Sequence, residues 1–153
     1  MAIEDIRNFR RFDDRLVTGG QPTEEQLRDL AAAGFEAVVN IATINPRYSL
    51  PDEPGLVESL GMAYHHIPVE WESPQVSDFE AFEHVMAGLE GRRMLIHCAA
   101  NYRVTAFTSL WARRNLRWTP EQAAAFRAAV WDVSEYPAWA AFVASIEAST
   151  DGA

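Results

Sequence analysis

The stretch LIHCAANYRVTAF, residues 95–107, decides the interpretation of the whole chain. Its first part, with Met94 before it, is an apolar run typical of a buried strand. From Arg103 onward, apolar side chains recur at the three- and four-residue spacing of a helix. A short loop between a strand and a helix gathers backbone N–H groups at the positive end of the helix dipole. The sequence therefore predicts an anion-binding cradle over residues 98–103.

Cys98 is the single cysteine of the chain and stands at the mouth of this cradle, five positions before Arg103. The helix dipole and the guanidinium both favour the thiolate, which is the nucleophilic form of cysteine. A guanidinium can also hold two oxygens of an oxyanion at once. Alternatively, Cys98 is a buried structural residue and Arg103 pairs with an acid at the helix start. The small residues Ala99 and Ala100, with Asn101, which tolerates a left-handed backbone, favour the anion site.

On both sides of this stretch, short apolar runs alternate with amphipathic segments. Four runs bounded by turn residues predict strands: RLVTGG (15–20), AVVNIA (37–42), YHHIPV (64–69) and MLIHCA (94–99). The segments between and after them predict helices over 24–34, 53–60, 104–116, 120–130 and 137–148, with a further helix that begins near Ser77. This alternation predicts an α/β fold, with a mostly parallel sheet covered by helices on both faces.

Three helix starts carry capping signals. Thr23 with Gln26, and Ser77 with Glu80, have the spacing of a capping box. Thr119 precedes a proline at the first helical position, which is a common place for proline.

Length and composition limit the possible classes of protein. With 153 residues, 48% of them hydrophobic, we expect one domain over 1–148 and a disordered tail over 149–153. The net charge of −9 argues against nucleic-acid binding. A lone cysteine cannot form an internal disulfide, and the charged first residues resemble neither a secretory signal nor a membrane span. We therefore expect a cytoplasmic protein without membrane contact.

Four segments carry a family resemblance: TGGQPT (18–23), AGFEAVVNIA (33–42), HHIPVEW (65–71) and HCAANYRVTAF (97–107). With them the sequence resembles the cysteine-dependent phosphatases of the tyrosine and dual-specificity kind, and more closely a bacterial branch of phosphatase-like proteins. The resemblance extends over roughly residues 6–145. It implies a central sheet of four or five strands flanked by helices, in agreement with the fold predicted from the alternation of segments.

The resemblance also implies roles for individual residues. Cys98 would accept the phosphoryl group of a phosphorylated protein or small molecule, and Arg103 would bind its oxygens. The loop residues Ala99, Ala100, Asn101 and Tyr102 would bind the substrate through backbone amides, and His97 would tune the cysteine from behind through hydrogen bonds. No metal or cofactor is implied, and His65 and His66 lack the spacing of metal ligands.

A general acid is also expected, on the segment PVEWESPQVSD (68–78). This segment offers Glu70 and Glu72 where related enzymes place an aspartate. We favour Glu70, and the alternative is that both glutamates are solvated loop charges.

One departure from the common phosphatase pattern concerns the spacing of the site. Four residues separate Cys98 from Arg103, where the common signature has five, although Thr105 keeps the position of the signature hydroxyl counted from the cysteine. The shorter spacing matches many rhodanese-type sulfurtransferases, which would use a persulfide on Cys98. A third possibility is a catalytically silent module that binds phosphate.

Overall fold

The structure is a computed structural model that describes residues 2–152. In chain order the elements are a 3-10 turn (Ala2–Asp5), β1 (Arg10–Arg11), β2 (Leu16–Gly19), α1 (Glu24–Ala32), β3 (Ala37–Asn40), α2 (Glu53–Ser59), β4 (Ala63–His66), α3 (Val76–Gly88), β5 (Met94–His97), α4 (Tyr102–Asn115), α5 (Pro120–Ala128), a second 3-10 turn (Val133–Glu135) and α6 (Pro137–Asp151). No helix in the described range 2–152 has both the length and the apolar character needed to cross a membrane.

The strands form one five-stranded sheet in the order β1-β2-β5-β3-β4. β1 is antiparallel to β2, and every other pair is parallel, so the predicted α/β class with a mostly parallel sheet is confirmed. β5 lies between β2 and β3, and its last residue, His97, is paired with Gly19 on one side and Asn40 on the other. The segments that follow these parallel strands therefore meet at one edge of the sheet, where α/β proteins usually bind their ligands.

Both faces of the sheet are covered, which explains why its strands are continuous apolar runs. Val38 and Leu95 face a layer formed by the N-terminal segment, α1 and α2. Val39 and Ile96 face the opposite layer, formed by α3, α4 and α6. All four of these side chains are fully buried, so a shift of one residue in either strand would exchange its two buried faces.

The predicted helix starts are partly correct. Thr23 accepts the N–H of Gln26, as its capping-box spacing predicts. Thr119 caps α5 in the same way, and Pro120 stands at the first helical position as predicted. The prediction for Ser77 is wrong, because Gln75 is the N-cap of α3 and Asp78 accepts its N–H at 3.0 Å. The helix consequently begins at Val76, before the predicted start.

The end of the chain also differs from its prediction. Residues 149–151, predicted to be disordered, form the last turn of α6. Arg114 of α4 donates to the hydroxyls of Ser149 at 2.6 Å and Thr150 at 2.9 Å, and Arg113 pairs with Asp151. These contacts with α4 stabilise residues 149–151, whose composition alone is typical of a disordered terminus. Ala153 lies outside the described residues.

Candidate active site

Cys98 directly follows β5, and its side chain packs among buried apolar residues at the edge where the parallel strands end. Only 1% of its surface is exposed. Burial to this degree fits a structural cysteine as well as a sulfur at the floor of an anion site. The groups around the sulfur therefore distinguish a structural cysteine from a sulfur in an anion site.

Two carbonyl oxygens of the loop after Cys98 accept hydrogen bonds from other segments of the chain. The Ala99 carbonyl accepts the backbone N–H of Gln21 at 3.0 Å, and the Ala100 carbonyl accepts Nδ2 of Asn8 at 2.9 Å. Because a trans peptide unit is planar, the N–H group of Ala100 points away from the Gln21 side of the loop.

None of the backbone N–H groups of residues 99–103 forms a well-aligned hydrogen bond within 3.5 Å among residues 2–152, although Ala100 and Gly20 form an isolated antiparallel bridge. The last two, those of Tyr102 and Arg103, lie in the first turn of α4, where N–H groups are available to an anion. The loop after Cys98 therefore presents a run of free backbone donors. This arrangement is what an oxyanion cradle requires.

Asn101 has φ 69°, a left-handed conformation that asparagine tolerates better than most residues. Its side chain is fully buried, and Nδ2 donates to the Asn8 carbonyl at 2.8 Å and to Oγ1 of Thr18 at 3.0 Å. The Asn101 side chain is therefore an anchor for the loop and does not face a substrate. Asn8 is a site residue that sequence reasoning missed, because nothing in its own neighbourhood indicates a partner about 90 residues away.

Arg103 is 5% exposed and lies in the first turn of α4. Its Nη1 donates to the Val69 carbonyl at 2.8 Å, and its guanidinium carbon lies 6.0 Å from the Trp71 ring centre. None of the ion pairs among the described residues includes Arg103, so the alternative that it pairs with an acid at the helix start is wrong. A buried guanidinium without a carboxylate partner needs an anion to compensate its charge.

His97 is fully buried and both of its ring nitrogens face protein oxygens, so the structure places it behind Cys98. Its Nε2 lies 2.5 Å from Oε2 of Glu53, and its Nδ1 lies 3.2 Å from the Cys98 carbonyl. Oε1 of Glu53 accepts Nε2 of Gln21 at 2.7 Å. Burial alone raises the pKa of Glu53, but the hydrogen bond from His97, the charge of His97 and the bond from Gln21 together lower it below its usual value.

The structure gives Thr105 a different role from the predicted one. Its hydroxyl donates toward the Asn101 and Tyr102 carbonyls and accepts the indole N–H of Trp131 at 2.9 Å. The residue is fully buried, and these partners fix the first turn of α4.

The segment with the two predicted acids lies beside the cradle, because the carbonyl of Val69 accepts a hydrogen bond from Arg103. Glu70 and Glu72 are both exposed on this segment, and neither carboxylate forms a hydrogen bond or ion pair with a residue in the range 2–152. The indole N–H of Trp139 donates to the Trp71 carbonyl at 2.7 Å and holds the segment against α6. Its position is thus fixed while the acids remain free to reorient.

An aromatic cluster borders the cradle. Tyr102 stacks on Trp131 with ring centres 4.8 Å apart and planes 9° apart. Trp71 lies 6.1 Å from the Tyr102 ring and 5.2 Å from the Tyr136 ring. Three of these rings, those of Trp71, Tyr102 and Tyr136, are only partly buried, so flat apolar surface is available next to the loop after Cys98.

The chain is similar in sequence and in structure to known proteins. The family described as "DSP-PTPase phosphatase fused to NAD+ Kinase" matches residues 3–137. A DUF442 protein from Shewanella putrefaciens CN-32, provisionally described as a phosphatase, has a TM-score of 0.88 and 34% identity, over 95% of this chain and 92% of that chain. A mutant form of Tk-PTP has a TM-score of 0.77 over 95% of this chain and 97% of that chain. Its 22% identity shows the fold alone.

Two curated relatives carry a different name, "Beta-lactamase hydrolase-like protein". The one from Xylella fastidiosa (strain Temecula1) is 28% identical over 116 residues, which is 72% of this chain, and the one from Agrobacterium fabrum is 31% identical over 99 residues, which is 61% of this chain. The chain spans about a quarter of their length, 25% and 22% respectively. The family match extends over most of the chain and includes Cys98 and Arg103. The chain therefore belongs to the family described as DSP-PTPase phosphatase fused to NAD+ kinase, as its resemblance to the cysteine-dependent phosphatases predicts.

Proposed function

We propose that this protein hydrolyses a phosphomonoester through a thiophosphoryl intermediate on Cys98. The single observation that carries the proposal is the buried Arg103, which has no carboxylate partner among the described residues. It lies in the first turn of α4, directly after the loop that holds Cys98 and the available N–H groups of residues 99–103. Such a set of donors stabilises the charge that develops on the oxygens of a transferring phosphoryl group.

The reaction has two steps. The Cys98 thiolate attacks phosphorus, a sulfur–phosphorus bond forms and the bond to the ester oxygen breaks. The leaving oxygen takes a proton from the general acid, for which we propose Glu70, with Glu72 as the alternative. Water then attacks the same phosphorus and gives its proton to that carboxylate, and the sulfur–phosphorus bond breaks to release phosphate and the thiolate. The guanidinium of Arg103 and the loop amides hold the phosphoryl oxygens in both steps.

The surroundings of the cradle support an aryl phosphate as substrate, either on a protein or on a small molecule. Trp71, Tyr102 and Tyr136 offer ring surface against which an aromatic leaving group can pack. The net charge of −9 favours a substrate whose negative charge is confined to one small group. A catalytic thiol must stay reduced, which supports the cytoplasm as the place of action.

Hydrolysis of p-nitrophenyl phosphate by the purified chain tests the proposal. We expect phosphate release by the wild type and none above background with Cys98→Ser, which keeps the size of the side chain but is a far weaker nucleophile. Glu58→Gln, a change at an exposed position of α2, is the matched control and is expected to keep full activity. Equal turnover by wild type and Cys98→Ser would overturn the proposal.

Two further assays separate the alternatives left by the sequence. Formation of thiocyanate from thiosulfate and cyanide, without phosphate release from any ester, would replace hydrolysis by sulfur transfer on Cys98. Binding of a phosphotyrosine peptide without turnover would indicate a silent phosphate-binding module. Either result would contradict the proposed hydrolysis.

A further inference from the structure

A buried chain of hydrogen bonds lies directly behind Cys98 and joins three segments that are distant in sequence. Nε2 of Gln21 donates to Oε1 of Glu53 at 2.7 Å, and Oε2 of Glu53 lies 2.5 Å from Nε2 of His97. Nδ1 of His97 is 3.2 Å from the Cys98 carbonyl oxygen. Glu53 is 4% exposed and His97 is fully buried, so solvent does not compete for the bond between them, while Gln21 is partly buried.

The two ring nitrogens of His97 both face oxygen acceptors, one a carboxylate and the other a carbonyl. A neutral imidazole can donate from one nitrogen only, and the lone pair on the other nitrogen would then be directed at an oxygen. An imidazolium satisfies both contacts. The carboxylate of Glu53 supplies the negative charge that such a buried cation needs.

Gln21 also contacts the loop after Cys98 directly, through its backbone. Its backbone N–H donates to the Ala99 carbonyl at 3.0 Å, while its side chain orients Glu53. Two successive carbonyls, those of Cys98 and Ala99, are therefore held by groups connected through Glu53. The N–H groups of Ala99 and Ala100, opposite these carbonyls in their planar peptide units, are among those left free for an anion.

We propose that Glu53 is a positioning residue for the Cys98 reaction: its carboxylate keeps His97 protonated on both nitrogens, and so fixes the Cys98 carbonyl and places positive charge behind the sulfur. This inference deepens the proposed function and rests on it. The other titratable groups facing the Glu53 carboxylate are His66 and Tyr64, both on β4. Neither of them is hydrogen-bonded to Glu53. Nε2 of His66 contacts the Ala42 carbonyl, and the hydroxyl of Tyr64 accepts a hydrogen bond from Nδ2 of Asn40.

Glu53→Gln tests this role, since it keeps the shape and one acceptor oxygen but removes the charge. Glu58→Gln on the same helix is the control, because Glu58 is exposed. At near-neutral pH we expect alkylation of Cys98 by iodoacetamide to slow about tenfold in Glu53→Gln, since the thiolate loses its support. With p-nitrophenyl phosphate we expect kcat to fall by a similar factor of about ten while KM changes less than about twofold. Glu58→Gln should match the wild type in both measurements.

A spectroscopic measurement on the unaltered protein gives an independent test. Nitrogen-15 NMR of the histidine side chains, with His97 assigned by its loss in His97→Asn, should show both His97 nitrogens protonated at neutral pH in the wild type. It should show one protonated nitrogen in Glu53→Gln. A neutral His97 in the wild type would overturn the inference, as would alkylation of Glu53→Gln at the wild-type rate.

The outcomes also separate this inference from the proposed function. Alkylation and NMR require no turnover, so a wild type that hydrolyses no phosphate would overturn the function while the state of His97 could still be measured. A functional phosphatase with a neutral His97 would overturn only the role of Glu53. If Glu53→Gln does not fold by circular dichroism, the wild-type NMR result decides the matter.

Discussion

Asn8 and Asn101 each bind the other's segment of the chain. Nδ2 of Asn8 donates to the Ala100 carbonyl at 2.9 Å, and Nδ2 of Asn101 donates to the Asn8 carbonyl at 2.8 Å. Both residues have a positive φ, 53° for Asn8 and 69° for Asn101, which asparagine tolerates better than most residues. This reciprocal pair ties the Cys98 loop to the N-terminal segment and fixes the direction of the Ala100 carbonyl.

The left-handed conformation and the buried bonds of Asn101 predict different costs for two substitutions. Asn101→Ala and Asn101→Gly both lose the bonds to Asn8 and Thr18, at a cost of about 2 kcal/mol. Only alanine also pays for the left-handed backbone, so we expect the glycine variant to be more stable than the alanine variant by about 1 kcal/mol. Urea unfolding of the two variants measures this difference. Equal free energies of unfolding would contradict the role of the backbone conformation.

Gly20 is required by the close approach of two backbone segments. A Cβ at this position would lie 2.5 Å from the Ala99 carbonyl oxygen and 3.0 Å from the Cα of Ala100, so Gly20→Ala must displace the loop. We expect this variant to lose about 2 kcal/mol of stability and most of its phosphatase activity. Gly88→Ala is the control, because a Cβ there meets no atom within 4 Å, and in α3 it should leave stability unchanged or raise it by up to about 1 kcal/mol. Similar thermal shifts for both variants would refute this account of the loop.

Arg103→Lys separates charge from geometry in the cradle. Lysine keeps the positive charge but cannot bond the Val69 carbonyl and two phosphoryl oxygens at the same time. We expect kcat for p-nitrophenyl phosphate to fall about a hundred- to a thousandfold, the usual effect of losing a donor to a developing oxyanion. Arg113→Lys, on the same helix but paired with Glu147 and Asp151, should keep wild-type kcat. Retention of activity by Arg103→Lys would show that a point charge is sufficient.

The lowered pKa of Glu53 predicts a pH-dependent contribution to stability. A carboxyl whose folded pKa lies below its usual value stabilises the protein above that usual value, 4.5, and the contribution is lost as pH falls through the lower folded pKa. We therefore expect Glu53→Gln to be less stable than the wild type at neutral pH, with a difference that shrinks as the pH drops below 4.5. Denaturant unfolding at a series of pH values checks this. A difference that stays constant down to strongly acidic pH would contradict it.

The sheet could be predicted because β3 and β5 are buried on both faces and therefore read as uninterrupted apolar runs. β1 could not, since two arginines at a sheet edge carry no apolar pattern. Cys98 and Arg103 were found because the strand, loop and helix that position them are contiguous. Glu53 was not found, since its partner His97 is 44 residues away and a glutamate in the first turn of a helix is unremarkable.

Thr105 illustrates a different limit of sequence reasoning. Its distance from Cys98 in the sequence equals that of the signature hydroxyl, but its hydroxyl contacts the Asn101 and Tyr102 carbonyls and accepts the indole N–H of Trp131. The distance in sequence between Cys98 and Thr105 therefore did not predict the partners of the Thr105 hydroxyl.

In the proposed reaction, the Cys98 sulfur carries the phosphoryl group during turnover. Acid quenching of the wild type within the first turnover on p-nitrophenyl phosphate, followed by mass spectrometry of the peptide that contains Cys98, detects this intermediate. We expect the added mass of one phosphoryl group on that cysteine, and no such mass on the same peptide of Cys98→Ser treated in the same way. Phosphate release with no adduct on the peptide, or an adduct that proves to be one extra sulfur atom, would contradict it.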